Sequence, residues 1–293
     1  MAGLKDIKNR IVSVTSTRQI TSAMKLISAA KLKKAQDAVI QIRPYANKLR
    51  EVLAEVSAGL TDKHVGIYNQ TREIKNVLII LIASNRGLCG AFNSNVCKRA
   101  IQHAEETYPD LMLSGNLKFF CIGKKAYEYV KKLNLNIAGA SDEIYDDLTF
   151  TNVSRYAESF MKSFVDGEYD RIDIVYNSFR NAAIQEQKVE KFLPMTIDKN
   201  EEKANVSTDF IFEPSVDKII DEMIPKSLKI QFLKILLDSF AAEQGARMTA
   251  MHQATDNATE LIRDLTLMYN KARQASITNE ILEITSGAEA LNG

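Results

Sequence analysis

Apolar residues recur over the first sixty positions in alternating steps of three and four. Leu32, Ala35, Val39, Ile42, Ala46, Leu49, Leu53 and Val56 follow that rule without a slip, which is the heptad spacing of a coiled-coil seam. Read backwards, the register passes through Val14, Ile11, Ile7 and Leu4, and no glycine falls between residues 4 and 58. The pattern predicts one N-terminal coiled-coil helix over residues 1–58, about 80 Å long at ~1.5 Å per residue. Pro44 lies inside it and predicts a local bend rather than a stop, because the seam keeps its register through the missing donor.

A second pattern of the same kind closes the chain. Met251, Ala254, Ala258, Leu261, Leu265, Met268, Ala272 and Ala275 repeat the alternation. Pro214 and Pro225 mark its beginning, and between Lys226 and Ser286 the only glycine is Gly245. A C-terminal coiled-coil helix over residues 214–293 follows.

The middle has a different period. Val77–Ile82, Lys118–Ile122 and Ile172–Tyr176 are short β-branched or aromatic runs bounded by turn residues, and they read as strands. Helical patterns lie between them at about 93–107, 124–133 and 152–166, so residues 75–197 predict an α/β domain. Lys188–Ile197 follows closely enough to make an antiparallel edge hairpin, and the polar stretch Asp198–Asp209 reads as a linker.

A compact domain inserted between two long helices has neighbouring ends, so the helices are expected to run antiparallel. Polar residues break both seams: Arg18, Thr21, Lys25 and Ser28 in the first, Gln244 and Arg247 in the second. If the breaks face each other, numbers across the pair sum to about 268 and Leu4 lies opposite about Leu265. The last ~28 residues, about 40 Å of helix, would then form an unpaired tip.

Charge adds an asymmetry. The whole chain carries 38 Lys+Arg against 37 Asp+Glu, which argues against nucleic acid as the main partner. Residues 1–50, however, hold eleven basic side chains against Asp6 and Asp37. As a nucleic-acid arm this helix would need interleaved aromatics, and residues 1–44 contain none. It reads better as a helix presenting positive charge to an acidic protein surface. Cys89, Cys97 and Cys121 are odd in number, lack CxxC spacing and read as reduced structural thiols. No signal peptide or apolar run near the ~20 residues of a membrane span is present, so the expectation is a chain that enters no membrane by itself.

Candidate chemistry is sparse. Ser84-Asn85-Arg86-Gly87-Leu88-Cys89-Gly90 is a glycine loop between a strand and a helix, where nucleotide folds cradle phosphate, but its spacing fits neither phosphate-binding signature. A tight turn resting on Gly87 is the expected role, with no cofactor. His64, His103 and His252 lack carboxylate or thiol companions at ligand spacing, so no metal is expected and all three read as surface or linker residues. Asp142, Glu143, Asp146 and Asp147 read as a solvated acidic loop. No catalytic residue is predicted.

Four separate segments carry a resemblance. Ile20-Thr21-Ser22-Ala23-Met24-Lys25-Leu26-Ile27-Ser28-Ala29-Ala30-Lys31-Leu32, the SNRGLCG loop, Arg247-Met248-Thr249-Ala250-Met251 with Ala254-Thr255-Asp256-Asn257-Ala258, and the stretch Ile277 to Ala290 together resemble the γ subunits of ATP synthases, in order and from end to end. The resemblance implies an antiparallel coiled coil of N- and C-terminal helices plus an inserted Rossmann-like α/β domain, the foot. It implies a shaft inside a ring of α and β subunits, a foot against subunit ε and the c-subunit ring, and no catalysis by the chain alone. Met24, Lys25 and Arg247, with Arg18 beside them on the seam, would lie in the coupling zone; Arg273, Gln274, Thr278 and Glu280 would touch the β subunits. The implied location is the cytoplasmic face of a bacterial inner membrane, or the matrix side in a mitochondrion. Asn85 stands where such loops usually have Asp, and with no cysteine after Cys121 the thiol switch of the chloroplast relatives is absent. The competing reading is a cytosolic coiled-coil adaptor or nucleic-acid-binding arm with an α/β domain.

Overall fold

The computed structural model describes residues 3–58, 67–70, 72–195 and 216–292. The expected linker, His64 and Pro214 lie outside the described residues. The elements are α1 (Leu4–Ala58), β1 (Val77–Ile82), α2 (Phe92–Thr107), α3 (Pro109–Ser114), β2 (Leu117–Ile122), α4 (Lys124–Lys132), β3 (Ile137–Ser141), α5 (Phe150–Val165), β4 (Arg171–Phe179), β5 (Gln185–Leu193) and α6 (Val216–Asn292). The chain divides into two compact units, residues 29–247 and residues 1–28 with 248–293.

The larger unit is built on a five-stranded sheet of order β3-β2-β1-β4-β5. Its first four strands are parallel and β5 returns antiparallel on β4, as the hairpin reading expects. Every residue of β1 is buried, as befits a parallel strand covered on both faces. Alternate side chains serve opposite layers. Leu78, Ile80 and Ile82 join Phe160 and Phe164 of α5 and Leu228, Phe232 and Leu236 of α6. Val77, Ile79 and Leu81 join Val96 and Ala100 of α2 and Ala126 and Val130 of α4. The first half of α6 is therefore a layer of the α/β core, and Ala38, Val39, Ile42 and Leu49 of α1 pack against the same cluster.

Two prolines sit inside helices, Pro44 in α1 and Pro225 in α6. The second does not mark the start of its helix as expected. Its flanking Ile224 and Leu228 are buried in the core, and that burial holds the turn despite the lost donor. Gly123 turns β2 into α4 at φ +93, where an added Cβ would lie 2.2 Å from the Ala83 carbonyl oxygen. No L side chain fits there.

In the smaller unit the predicted seam of α1 holds. Thr21 and Ser28 are buried, and Leu4, Ile7, Ile11, Val14, Arg18 and Lys25 are half-buried. The hydroxyls of Thr21 and Thr255 share a hydrogen bond of 2.8 Å, and Lys25 Nζ donates to His252 Nδ1 at 3.4 Å. Numbers fall on α6 as they rise on α1, so the two segments are antiparallel. The register differs from the expectation by about a heptad: with Thr21 facing Thr255, Leu4 faces about Ala272 rather than Leu265. Met251, Ala258 and Leu265 keep their predicted seam places, but Leu261, Met268 and Ala275 are exposed and Ile262, Tyr269 and Ser276 take over. A straight helix drifts ~20° per heptad against a 3.5-residue repeat, which hands the seam to the following residue. From Ile277 to Ala288 every side chain is exposed, so the unpaired tip begins some ten residues later than expected.

Candidate coupling site at the glycine loop

The strand order reverses at β1, which lies between β2 and β4, and the crevice beyond the carboxyl ends of such strands is where open α/β sheets bind ligands. The SNRGLCG loop occupies that place, and its side chains are spent on holding its own shape. Ser84 N–H donates to Asn93 Oδ1 at 3.0 Å and Ser84 Oγ to the Arg86 carbonyl at 2.6 Å, while Asn93 Nδ2 reaches Cys89 Sγ at 3.2 Å. Asn85 bridges outward, accepting the Lys124 N–H at 3.1 Å and donating from Nδ2 to the Asp142 carbonyl at 2.8 Å. A carboxylate could make the first bond but not the second, a physical reason for the amide.

Gly87 does not carry the turn. A Cβ added there would meet nothing within 4 Å; the left-handed positions are Leu88 at φ 62 and Gly90 at φ 60.

Into this loop α6 inserts an arginine. The Arg247 guanidinium donates from Nη2 to the Arg86 carbonyl at 3.0 Å and the Gly87 carbonyl at 3.2 Å, and from Nη1 to Glu243 Oε1 at 2.6 Å. Both side chains of the pair are about nine-tenths buried. Burial raises the Glu243 carboxyl above the ordinary glutamate value, and the positive charges of Arg247, Lys31 and Arg86 draw it part of the way back. The three-four periodicity assigns Arg247 and Gln244 to the seam, facing the polar residues of α1. In the structure both are buried, and Arg247 turns to the loop because two backbone carbonyls and a carboxylate satisfy its fork. Glu243 was missed, although its i,i+4 spacing from Arg247 is a legible signal.

A few residues along α6, the tip of the β4–β5 hairpin makes the other close approach. The Phe179 N–H donates to Asp238 Oδ1 at 3.2 Å. Gly245 lies so near that an added Cβ would meet Phe179 Cε2 at 3.1 Å and Ala182 Cα at 3.2 Å.

A second polar cluster is buried at the opposite ends of the strands. Asp173 on β4 accepts from His103 Nε2 at 2.9 Å, Tyr108 OH at 2.7 Å and Arg171 Nε at 3.0 Å, and Thr107 Oγ1 lies 3.1 Å from His103 Nδ1. His103 is thus a buried partner of a carboxylate, not the surface residue expected. Burial alone would raise the Asp173 carboxyl, but the hydrogen bonds from His103 and Tyr108 and the charge of Arg171 outweigh it and hold the group below its usual range. Burial pushes the Cys97 and Cys121 thiols up to about 12, in keeping with inert structural cysteines.

The remaining predicted residues lie in the smaller unit. Arg18, Met24 and Lys25 are half-buried; Arg273, Gln274, Thr278 and Glu280 are exposed. Thr278 Oγ1 donates to the Gln274 carbonyl at 2.9 Å, and Ser276 Oγ to Glu280 Oε1 at 3.3 Å. These bonds stay within one helix and leave the tip's apolar surface open, with Ile277, Ile281, Leu282 and Ile284 each about half or more exposed.

A family model described as ATP synthase matches residues 3–291. The ATP synthase gamma chain of Christiangramia forsetii is 54% identical over 293 residues, covering 100% of both chains. The chain belongs to the ATP synthase gamma chain family. The gamma chain of Flavobacterium johnsoniae is equally similar, at 54% identity over the full length of each. A chain in the Euglena gracilis mitochondrial ATP synthase, in an assembly described as OSCP/F1/c-ring, shares the fold with a TM-score of 0.68 at 21% identity, over 98% of this chain and 94% of that one. A chain of the Tetrahymena thermophila mitochondrial ATP synthase central stalk and c-ring gives a TM-score of 0.57 at 23% identity, over 80% of this chain and 99% of that one. Among the described residues of this gamma chain, no helix is long and apolar enough to cross a membrane.

Proposed function

We propose that this gamma chain is the central rotor subunit of a proton-translocating F-type ATP synthase, coupling rotation of a membrane ring to the conformational cycle of catalytic β subunits. The partners are the α and β subunits around the shaft, and subunit ε and the c-subunit ring at the foot. The complex works at the cytoplasmic face of a bacterial inner membrane. The chain supplies no catalytic residue and binds no nucleotide of its own.

The observation that carries this reading is the occupant of the switch point. In a nucleotide enzyme that crevice is left for phosphate, with backbone N–H groups facing it. Here it presents carbonyls of Arg86 and Gly87, and Arg247 fills it from within the chain. The guanidinium spends Nε, Nη1 and Nη2 on Glu243 and the two carbonyls, which makes a mechanical joint of a group that could otherwise have served an anion.

Within this reading Arg18, Met24, Lys25 and Arg247 belong to the coupling zone, and Arg273, Gln274, Thr278 and Glu280 to the bearing at the tip. Co-expression with the α, β and ε subunits of the same organism tests the assignment. Recovery of a complex that hydrolyses ATP and pumps protons is expected. A chain that stays apart from them, or that binds ATP by itself in calorimetry, would overturn it.

A further inference from the structure

We propose that Arg247 and Asp238 are positioning residues that key α6 to the α/β unit, so that torque passes between foot and shaft without slip. The inference rests on the rotor reading above.

Most of the contact between α6 and the sheet is apolar, through Leu228, Phe232, Leu233 and Leu236. Such packing is non-directional and gives only soft resistance to a helix turning about its own axis. The polar contacts differ in having fixed directions. Asp238 and Gly245 are seven residues apart, within ~20° of one another around the helix at 3.6 residues per turn, and both meet the β4–β5 hairpin, through the Phe179 N–H and through the Phe179 ring and Ala182. Glu243 and Arg247 are four apart and share another face, turned to the glycine loop. Nine residues separate Asp238 from Arg247, two and a half turns, so the two faces are about 180° apart.

The helix is therefore held by hydrogen bonds on opposite sides, by the ends of two different loops of one sheet. Tangential forces at opposed points form a couple, which resists rotation without pushing the helix sideways. A leucine at position 247 would fill space as well; only the guanidinium fork fixes azimuth, through two carbonyls on adjacent residues. This is a use for a buried ion pair that stability alone does not provide, since such pairs are weakly stabilising compared with apolar packing.

The test uses the assembled complex in sealed vesicles, with ATP hydrolysis and ATP-driven proton uptake measured together. Arg247→Ala is expected to lower protons pumped per ATP several-fold, Asp238→Ala to do so less, and the double variant more than either. Guanidinium chloride at ~10 mM, far below denaturing levels, should restore much of the ratio in Arg247→Ala by refilling the socket, whereas equal tetramethylammonium chloride, a cation with no N–H donor, should not. If hydrolysis and pumping fall in step, the residues are structural and the proposal fails. Recovery of thermal stability by guanidinium without recovery of the ratio overturns it as well. Arg247→Lys, which keeps the charge beside Glu243 but loses the fork, covers the case in which Arg247→Ala does not assemble: a normal ratio in that variant refutes the keying role. Failure of the unaltered chain to join the other subunits would count against the rotor reading instead.

Discussion

Replacing Arg247 by Leu separates what the sequence suggests from what the structure dictates. As a polar intruder on an apolar seam, Arg247 would be expected to cost stability, and its removal to be neutral or favourable. The structure reverses the sign. The substitution leaves Glu243, about nine-tenths buried, without its 2.6 Å partner, and breaking a buried pair from one side costs about 3–5 kcal/mol. For a chain of this size, at ~2–4 °C per kcal/mol, the melting temperature should fall by about 6–20 °C. Changing Glu243 and Arg247 together to Leu removes both charges and should return the protein to within ~2 kcal/mol of the parent. Burial already holds the Glu243 carboxyl high, so the folded chain takes up that proton before the unfolded chain does. Ionisation of Glu243 therefore opposes folding as pH rises from about 4.3 through the raised value, and more so without Arg247. The gap between the single variant and the parent should narrow at pH 4–5. Thermal unfolding of the purified chain across pH measures all three. A single variant as stable as the parent, or a double variant no better than the single, would refute the argument.

Three further outcomes are expected. Asp173, held low by its three donors, contributes stability that is complete above the unfolded value of ~3.9 and is lost as pH falls through the lowered one; Asp173→Asn should cost about 2–3 kcal/mol and flatten the acid limb of a denaturation profile. Gly123→Ala places a methyl against the Ala83 carbonyl and should prevent recovery of folded chain at 37 °C, whereas Gly87→Ala, with nothing within 4 Å, should leave unfolding within ~0.5 kcal/mol. Ending the chain after Ser276 removes residues exposed as far as Ala288 and should leave the melting temperature unchanged while lowering torque in single-molecule rotation under load; unchanged torque would contradict a bearing role for the tip.

The long helices were legible because period is a property of spacing alone: every described residue from Leu4 to Leu49 that the three-four rule assigns to the α1 seam is buried or half-buried. Registration across the pair was not, because it depends on which polar residues meet. Gln244 and Arg247 look like the partners of Thr21 and Lys25, but Arg247 answers to the glycine loop and Gln244 bonds to Glu243, and the true partners, Thr255 and His252, are unremarkable on their own helix. The strand Ile137–Ser141 escaped for a different reason. Ile-Ala-Gly-Ala-Ser has one β-branched residue and no strand propensity to speak of; pairing along β2 makes it a strand. The long-range polar contacts share that property: His103 with Asp173, Arg247 with the Arg86 carbonyl and Phe179 with Asp238 are joined across 70, 161 and 59 residues of sequence, distances over which local spacing carries no signal.

The hydrogen bond between Thr21 and Thr255 spans 234 residues, and this sets a timetable for biosynthesis. At ~5–20 residues per second, the ribosome delivers the partner of the first helix about 10–50 s after the helix itself. Through that interval Ile7, Ile11 and Val14 have no seam to enter, and the α/β unit waits for nearly as long, because Phe232 and Leu236 of α6 complete its core. The helix pair is then the last part to form, with the largest loop-closure entropy to overcome. A nascent amphipathic helix left waiting in this way is a natural client for a chaperone, and for the very subunits it will later turn within.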